Sequence, residues 1–192
     1  MNFIDYKTPL DSFIGGWFID DKICDDIIKF FEASKHRQGE GKVGGGSQDR
    51  VDKKIKKSID INIYGGDSAF DRYNTSLQKC LELYMKRYPE VKNKLSNFNS
   101  TYEFYNIQKY GSGDGFYNWH CERDNGKSTR CLVFMTYLND VKNGGTEFKY
   151  QKLITPAKRG LTLIWPTDFS NMHRGVIANE TKYIVTGWYN YV

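Results

Sequence analysis

The sequence predicts a mainly β fold preceded by helices, an α+β chain whose second half is a sandwich or barrel. Three observations lead there. Apolar residues in the first ninety positions recur at helical spacing. From about Thr101 onward, short runs rich in β-branched and aromatic residues alternate with Gly, Asn and Asp turns. The chain also carries 14 Tyr, 12 Phe and 4 Trp against only 4 Pro, a composition that packs a core rather than avoiding one. At 192 residues it fits one domain, with residues 1–100 read as helical and loop decoration and 101–192 as the β core. A chain of this length buries roughly 70% of its unfolded surface, so it folds without staples.

The elements follow in order. Asp20 or Asp21 can cap a helix over Lys22–Ser34, where Ile23, Ile27, Phe30 and Phe31 form an apolar stripe. Gly39 to Ser47 reads GEGKVGGGS, too rich in glycine for a regular element, and leads into the basic run Lys53, Lys54, Lys56 and Lys57. The segment from Gly39 to Lys57 is open to two readings, a lid over an active site or a solvated linker. Ser58–Tyr64 alternates and holds three isoleucines, so it reads as a strand. Asp67 to Tyr88 reads as a second helix stopped by Pro89, with Ala69, Tyr73, Leu77, Cys80, Leu81, Tyr84 and Met85 on its buried face. Strands are then expected over Thr101–Tyr110, Tyr117–Glu122, Arg130–Leu138, Thr146–Phe148, Gly160–Trp165, Gly175–Ala178 and Lys182–Asn190.

Charge and composition exclude some classes. A formal net charge of +5 permits an acidic partner without requiring one, and the lysine run is where nucleic-acid phosphate would be met. No stretch approaches the ~18 apolar residues of a membrane helix, and the start, MNFIDYKTPLDSF, has no secretory apolar run. Cys24, Cys80, Cys121 and Cys131 form no C-x-x-C pair, so zinc-knuckle and thioredoxin chemistry are not indicated. A cytoplasmic location with reduced thiols is the expectation.

Only three histidines are present, His36, His120 and His173. In Trp119-His120-Cys121-Glu122, positions 120 and 122 would share one strand face with Cys121 on the other. Two imidazoles and one carboxylate on one side of a metal leave three coordination positions open, the arrangement of non-haem Fe(II) oxygenases. An H-x-E pair alone is a weak signal. His36 lies outside the constellation, as a solvated helix-end residue.

The surrounding residues make the signal specific. Ile107 to Glu122 contains Tyr110-Gly-Ser-Gly, then Tyr117-x-x-His120-x-Glu122. Tyr137-Leu-Asn is followed by Gly144-Gly145, Gly160 to Trp165 precedes the second histidine, and His173-Arg-Gly is followed nine residues on by Lys182. In order and spacing this resembles the prolyl 4-hydroxylase branch of the Fe(II)- and 2-oxoglutarate-dependent oxygenases, over roughly residues 101–190. The resemblance implies a double-stranded β-helix core of jelly-roll or cupin type. It implies iron held by His120, Glu122 and His173, with 2-oxoglutarate and O2 as co-substrates and ascorbate as an accessory reductant. It further implies that Lys182 binds the distal carboxylate of 2-oxoglutarate, with Tyr137, Tyr110 and Thr186 around it. Arg130, Tyr117 and Trp188 would border the substrate site.

Physical reasoning supports the lysine. A buried charge beside Ile184, Thr186 and Trp188 needs a counter-charge, and a dicarboxylate brings one. Those four residues share a strand face, so a buried Lys182 predicts a largely buried Thr186. The alternative for Lys182 is an exposed strand position; for Tyr110, a core aromatic; for Arg130, a surface residue. Asn118 and Arg174 could orient the two histidines. The pattern departs from the family at Glu122, where Asp is usual, and Asp124 competes as the carboxylate. Glu122 also fills the position a halogenating enzyme would leave open for halide. The expected reaction is hydroxylation of a substrate carbon, of a prolyl residue in a protein or peptide, with release of succinate and CO2. The alternatives are a nucleic-acid or small-molecule oxygenase, or a metal-binding module without turnover.

Overall fold

The computed structural model describes residues 3–44, 49–64, 68–94, 98–99, 104–123 and 129–191. Among the described residues, twelve strands form two sheets. The first half of the chain gives β1 (Ile4–Asp5), β2 (Gly15–Phe18), β3 (Gly39–Glu40), β4 (Ile59–Tyr64) and β5 (Phe98–Asn99). The second gives β6 (Phe104–Tyr110), β7 (Arg130–Tyr137), β8 (Val141–Phe148), β9 (Leu153–Ala157), β10 (Leu161–Pro166), β11 (His173–Gly175) and β12 (Lys182–Tyr191). The major sheet runs β1-β2-β10-β7-β12-β6-β4-β3, with β5 also on β12, and the minor sheet runs β11-β8-β9. Every pairing is antiparallel. Two such sheets closing on one another form the jelly-roll core. The first hundred residues thus supply sheet strands as well as helices, more than the decoration expected of them.

Helix α1 (Asp21–Ala33) starts where Asp20 accepts the Lys22 amide at 2.8 Å, satisfying one of the free N–H groups of the first turn. Its stripe buries Ile23, Ile27 and Phe31. Helix α2 (Asp71–Arg87) follows a 3-10 turn at Ser68–Phe70 and buries Tyr73, Leu77, Cys80, Leu81 and Tyr84; Ala69 is exposed and Phe70 takes its place in the core. Both helices cover one face of the major sheet, in a cluster with Ile61, Ile63, Tyr105, Ile107 and Val185. The opposite face turns toward the minor sheet and holds a second cluster with Tyr110, Met135, Tyr137, Phe148, Trp165 and Ile184. Alternation therefore sorts each strand: odd residues of β12 from Tyr183 to Tyr189 meet the helices and even ones face the space between the sheets.

Three expectations need correction. Tyr117–Glu122 is not a strand; His120 makes only an isolated bridge with His173, through His120 N to His173 O (3.0 Å) and His173 N to His120 O (2.8 Å). The strand expected at Gly175–Ala178 lies at His173–Gly175 instead. The glycine-rich segment is anchored at both described ends: Gly39 and Glu40 pair with Asp60 and Ile59, Val43 bridges Arg50, and Lys56 bridges Phe116. Residues 45–48 and Asp67, part of those expectations, lie outside the described residues.

Candidate metal centre and co-substrate pocket

The backbone bridge between His120 and His173 sets two imidazoles side by side, with ring centroids 4.3 Å apart. Glu122 is brought in by its own amide, which donates to Thr167 O at 3.1 Å. Its Oε1 stands 3.4 Å from His120 Nε2 and 3.4 Å from His173 Nε2. These are the three residues among those described whose donor atoms converge, all within 4.8 Å of one another. The second nitrogen of each ring is already committed: Nδ1 of His120 lies 3.0 Å from Asn118 O, and Nδ1 of His173 lies 2.8 Å from Asn171 O. Each Nδ1–H pointed at a carbonyl leaves Nε2 as the free lone pair, the tautomer a metal requires. The orienting groups are thus backbone carbonyls. The Asn118 side chain is not used in this way, and Arg174 turns to Glu147 (2.8 Å) and to the ring of Trp119.

The other oxygen of Glu122 is held elsewhere. Trp188 Nε1 donates to Oε2 at 2.9 Å, and Arg130 Nη1 donates to Oε2 and to Glu122 O, each at 3.2 Å. The Arg130 guanidinium lies over the Trp188 ring, 3.4 Å from its centroid. Arg130 and Trp188 therefore sit beside the carboxylate as well as at the cavity wall. Burial disfavours the charged form of Glu122, but its closeness to His120 and His173 outweighs it and holds the carboxyl well below its usual range. Burial, then the neighbouring His173, lowers His120. A carboxylate beside a neutral imidazole is the protonation state in which these groups bind a cation. Two imidazole nitrogens and one carboxylate oxygen converging from one side fit Fe(II). Asp124, the competing carboxylate, lies outside the described residues.

A cavity of about 1040 Å³ opens from the triad between the sheets. Deep in it lies Lys182, 5% exposed, whose Nζ donates to Gly144 O at 2.7 Å and Val176 O at 3.2 Å. No carboxylate among the described residues pairs with it, and burial pushes its ammonium down to about 8. Two carbonyls use two of its three donors, which leaves one for a bound anion. Tyr137 lines the same space, its hydroxyl 2.7 Å from Thr146 Oγ1; Tyr110 places its ring 5.5 Å from Lys182 Nζ and donates to Gln108 at 2.6 Å. Burial holds both phenols above their ordinary range, so they remain neutral donors. Next to the Gly144 carbonyl that Lys182 uses, Gly145 lets β9 approach closely: a Cβ there would lie 1.6 Å from Thr155 O.

Thr186 lines the cavity but is half-buried, because the open space lies over it; the burial expected from Lys182 stops at Ile184. Tyr117 does not line the cavity among the described residues; its hydroxyl goes to Gly113 O at 3.3 Å. Its neighbour Phe116 takes that role, stacked 3.7 Å from His120 at 14°. Cys121 borders the cavity with its neighbours, because no regular strand turns it away. Sequence reasoning missed Phe116, and also Asn62 and Asn106, which line the outer cavity; the alternation of Ile61 and Ile63 with polar neighbours was the available signal. His36 is exposed, as expected. The lysine run is largely committed: Lys53 pairs with Glu40, Lys56 with Asp60 (2.7 Å, buried) and Lys57 with Asp114 (2.8 Å), which weakens the case for a phosphate-binding patch.

Sheet architecture, a two-histidine, one-carboxylate centre and a buried cation in one cavity define a non-haem iron oxygenase. The sequence model of the 2OG-Fe(II) oxygenase superfamily matches residues 105–190, and together with the triad this match supports a 2-oxoglutarate-dependent dioxygenase that uses Fe(II), 2-oxoglutarate and O2. No curated protein matches it by sequence. Among solved structures it resembles the viral collagen prolyl hydroxylase of Paramecium bursaria Chlorella virus-1 in its 2-oxoglutarate complex (16% identity, TM-score 0.67, covering 94% of this chain and 96% of that one). It also resembles a Pseudomonas putida prolyl-4-hydroxylase (13%, 0.69, 95% and 97%). A third likeness is a Trichoplax adhaerens prolyl hydroxylase bound to a hypoxia-inducible-factor peptide fragment (18%, 0.68, 88% and 77%). No helix among the described residues is long and apolar enough to cross a membrane.

Proposed function

We propose that the enzyme hydroxylates a prolyl residue of a protein or peptide, with O2 consumed and 2-oxoglutarate converted to succinate and CO2. The observation that carries the co-substrate assignment is Lys182: a buried ammonium with no carboxylate partner among the described residues, opening on the same cavity as the triad. A dicarboxylate supplies the counter-charge that this position lacks.

In this reading His120, Glu122 through Oε1, and His173 hold Fe(II), which when bound supplies the oxygen chemistry. Lys182 pairs with the distal carboxylate while the neutral phenols of Tyr137 and Tyr110 complete its surroundings. Phe116 covers one face of His120 and keeps water from it. Trp188 and Arg130 hold the second Glu122 oxygen and border the substrate space. The prolyl substrate is supported by the likeness to prolyl hydroxylases, one of which is bound to a peptide fragment.

The test measures succinate from 2-oxoglutarate with and without O2, for wild type and His173→Ala, alongside the mass of proline-containing peptides. O2-dependent succinate, lost in the variant and matched by one added oxygen on a prolyl residue, is expected; added ascorbate should sustain it. Coupled oxygen appearing only on non-prolyl carbon would overturn the substrate assignment.

A further inference from the structure

The cavity does not end at the triad. It continues over the faces of β12, β6 and β4 as a track with two parallel rows of side chains. In register across the strands, Asn62 lies opposite Asn106, and Asn106 opposite Thr186. The side-chain amides of Asn62 and Asn106 have no hydrogen-bond partner among the described residues. Beside that row runs an aromatic one: Tyr64 packs on Phe104 (6.1 Å), and Phe104 on Trp188 (6.3 Å), whose indole bonds the Glu122 carboxylate. The aromatic row ends at the metal centre through Trp188, and the asparagine row ends at Thr186 in the same cavity.

We infer that this track binds the main chain of an extended polypeptide, crossing β12, β6 and β4 rather than adding a strand to their edge, with Asn62 and Asn106 as its main-chain-binding residues. The inference rests on the peptide-hydroxylase reading and says how the peptide is held. Each asparagine offers an acceptor and two donors, which matches the C=O and N–H groups of a peptide stripped of water. Neighbouring strands are about 4.8 Å apart, so the row from Asn62 to Thr186 spans roughly 10 Å, the length of about three extended residues. The aromatic row takes the apolar rings or chains of those residues, in the way aromatic-lined grooves receive proline-rich segments. Recognition of main-chain groups makes the enzyme tolerant of sequence beside the target and sensitive to peptide length.

The Fe(II)-loaded enzyme is assayed on a proline-containing decapeptide and on N-acetyl-prolinamide, as wild type, as Asn62→Ala with Asn106→Ala, and as Asn62→Gln with Asn106→Gln. Decapeptide binding is also read without turnover, by titration of the Zn(II)-loaded protein. The alanine pair should raise the decapeptide KM and Kd about tenfold, leave the KM for N-acetyl-prolinamide and for 2-oxoglutarate at wild-type values, and be partly rescued by the glutamine pair. Decapeptide turnover with an unchanged KM in the alanine pair would overturn the track and leave the reaction standing. Absence of peptide hydroxylation by the wild type would overturn the reaction and the track with it. Asparagine-dependent binding of a single-stranded oligonucleotide in place of the peptide would overturn the polypeptide assignment.

Discussion

The indole Nε1 of Trp188 lies 2.9 Å from Oε2 of Glu122, while Oε1 of the same carboxylate faces both imidazoles at 3.4 Å. The bond divides the labour of the two oxygens. With Oε2 held by Trp188 and Arg130, Glu122 presents a single oxygen to the metal position. The clamp also gives a physical account of the departure from aspartate. Glutamate is a methylene longer, and holding its far oxygen back against β12 and β7 takes up the extra length without loosening the near one.

Trp188→Phe keeps the ring that Arg130 stacks on and removes the donor. Hydrogen bonds to metal-bound carboxylates typically carry 10- to 100-fold in metal affinity. The expected result is a Co(II) or Fe(II) dissociation constant about tenfold weaker, in a protein whose far-ultraviolet circular dichroism matches wild type. An unchanged constant would mean that Arg130 alone suffices to hold Glu122.

Lys182 predicts opposite pH effects on stability and on co-substrate binding. Its folded pKa, about 8, lies below the ordinary lysine value of 10.5. Between those values the unfolded chain keeps a proton that the folded protein has lost, so stability without ligand should rise with pH across that window. Across the same window 2-oxoglutarate must recruit a proton to meet an ammonium, so its KM should rise by up to about tenfold per pH unit above 8. Lys182→Met removes both slopes. It should raise the urea midpoint at pH 7, because a costly buried charge is gone, and raise the 2-oxoglutarate KM on the order of a hundredfold, the loss of charge-assisted bonds of about 1.5–3 kcal/mol. A midpoint lower than wild type would mean the ammonium stabilises the fold through its two carbonyls.

How far the sequence reaches can be read from particular residues. The spacing of His120, Glu122, His173 and Lys182 survives in the geometry because each is fixed by local register: the His120–His173 bridge, and the alternation along β12. Strands β2 and β9, and the first part of β8 before Thr146, were hidden by residues that look like breakers. Gly15 opens β2 because a Cβ would strike the Trp17 and Tyr84 rings (2.5 and 2.9 Å). Asn143 and the adjacent glycines sit in an irregular stretch of β8, with Asn143 at φ 55°. Pro156 is tolerated because β9 is the edge of its sheet. Segment 117–122 was misread as a strand because its aromatic content signals burial, and long-range contacts with residues 55 and 167–173 supply that burial instead. Phe116 rather than Tyr117 meets His120 for the same reason: no regular strand fixes the parity there.

Metal removal should be legible in stability. A ligand at a hundredfold excess over its dissociation constant stabilises by about 2.7 kcal/mol, and in a domain of this size each kcal/mol moves Tm by about 2–4 °C. Chelator-treated protein should therefore melt about 5–10 °C below the Co(II)-loaded form. Glu122→Ala should abolish that difference and Asp124→Ala should keep it. The reverse pattern would assign the carboxylate to Asp124.

Phe116 gives the last prediction. Its ring lies 3.7 Å from that of His120 and nearly parallel to it, while Gly175 N donates to Phe116 O at 3.1 Å, so the backbone position does not depend on the side chain. Phe116→Ala should keep the loop in place and open one face of His120 to water. Metal affinity should fall only severalfold, since the Nδ1 bond to Asn118 O still orients the ring. The larger effect belongs to coupling: a site that excludes water protects its oxidising chemistry from being spent without substrate. Succinate formed per hydroxylated peptide should rise well above the wild-type ratio in Phe116→Ala and return toward it in Phe116→Tyr, which restores a flat ring. A ratio that stays at the wild-type value in Phe116→Ala would show that the stacked ring only packs, and that water is kept from the metal position by the substrate itself.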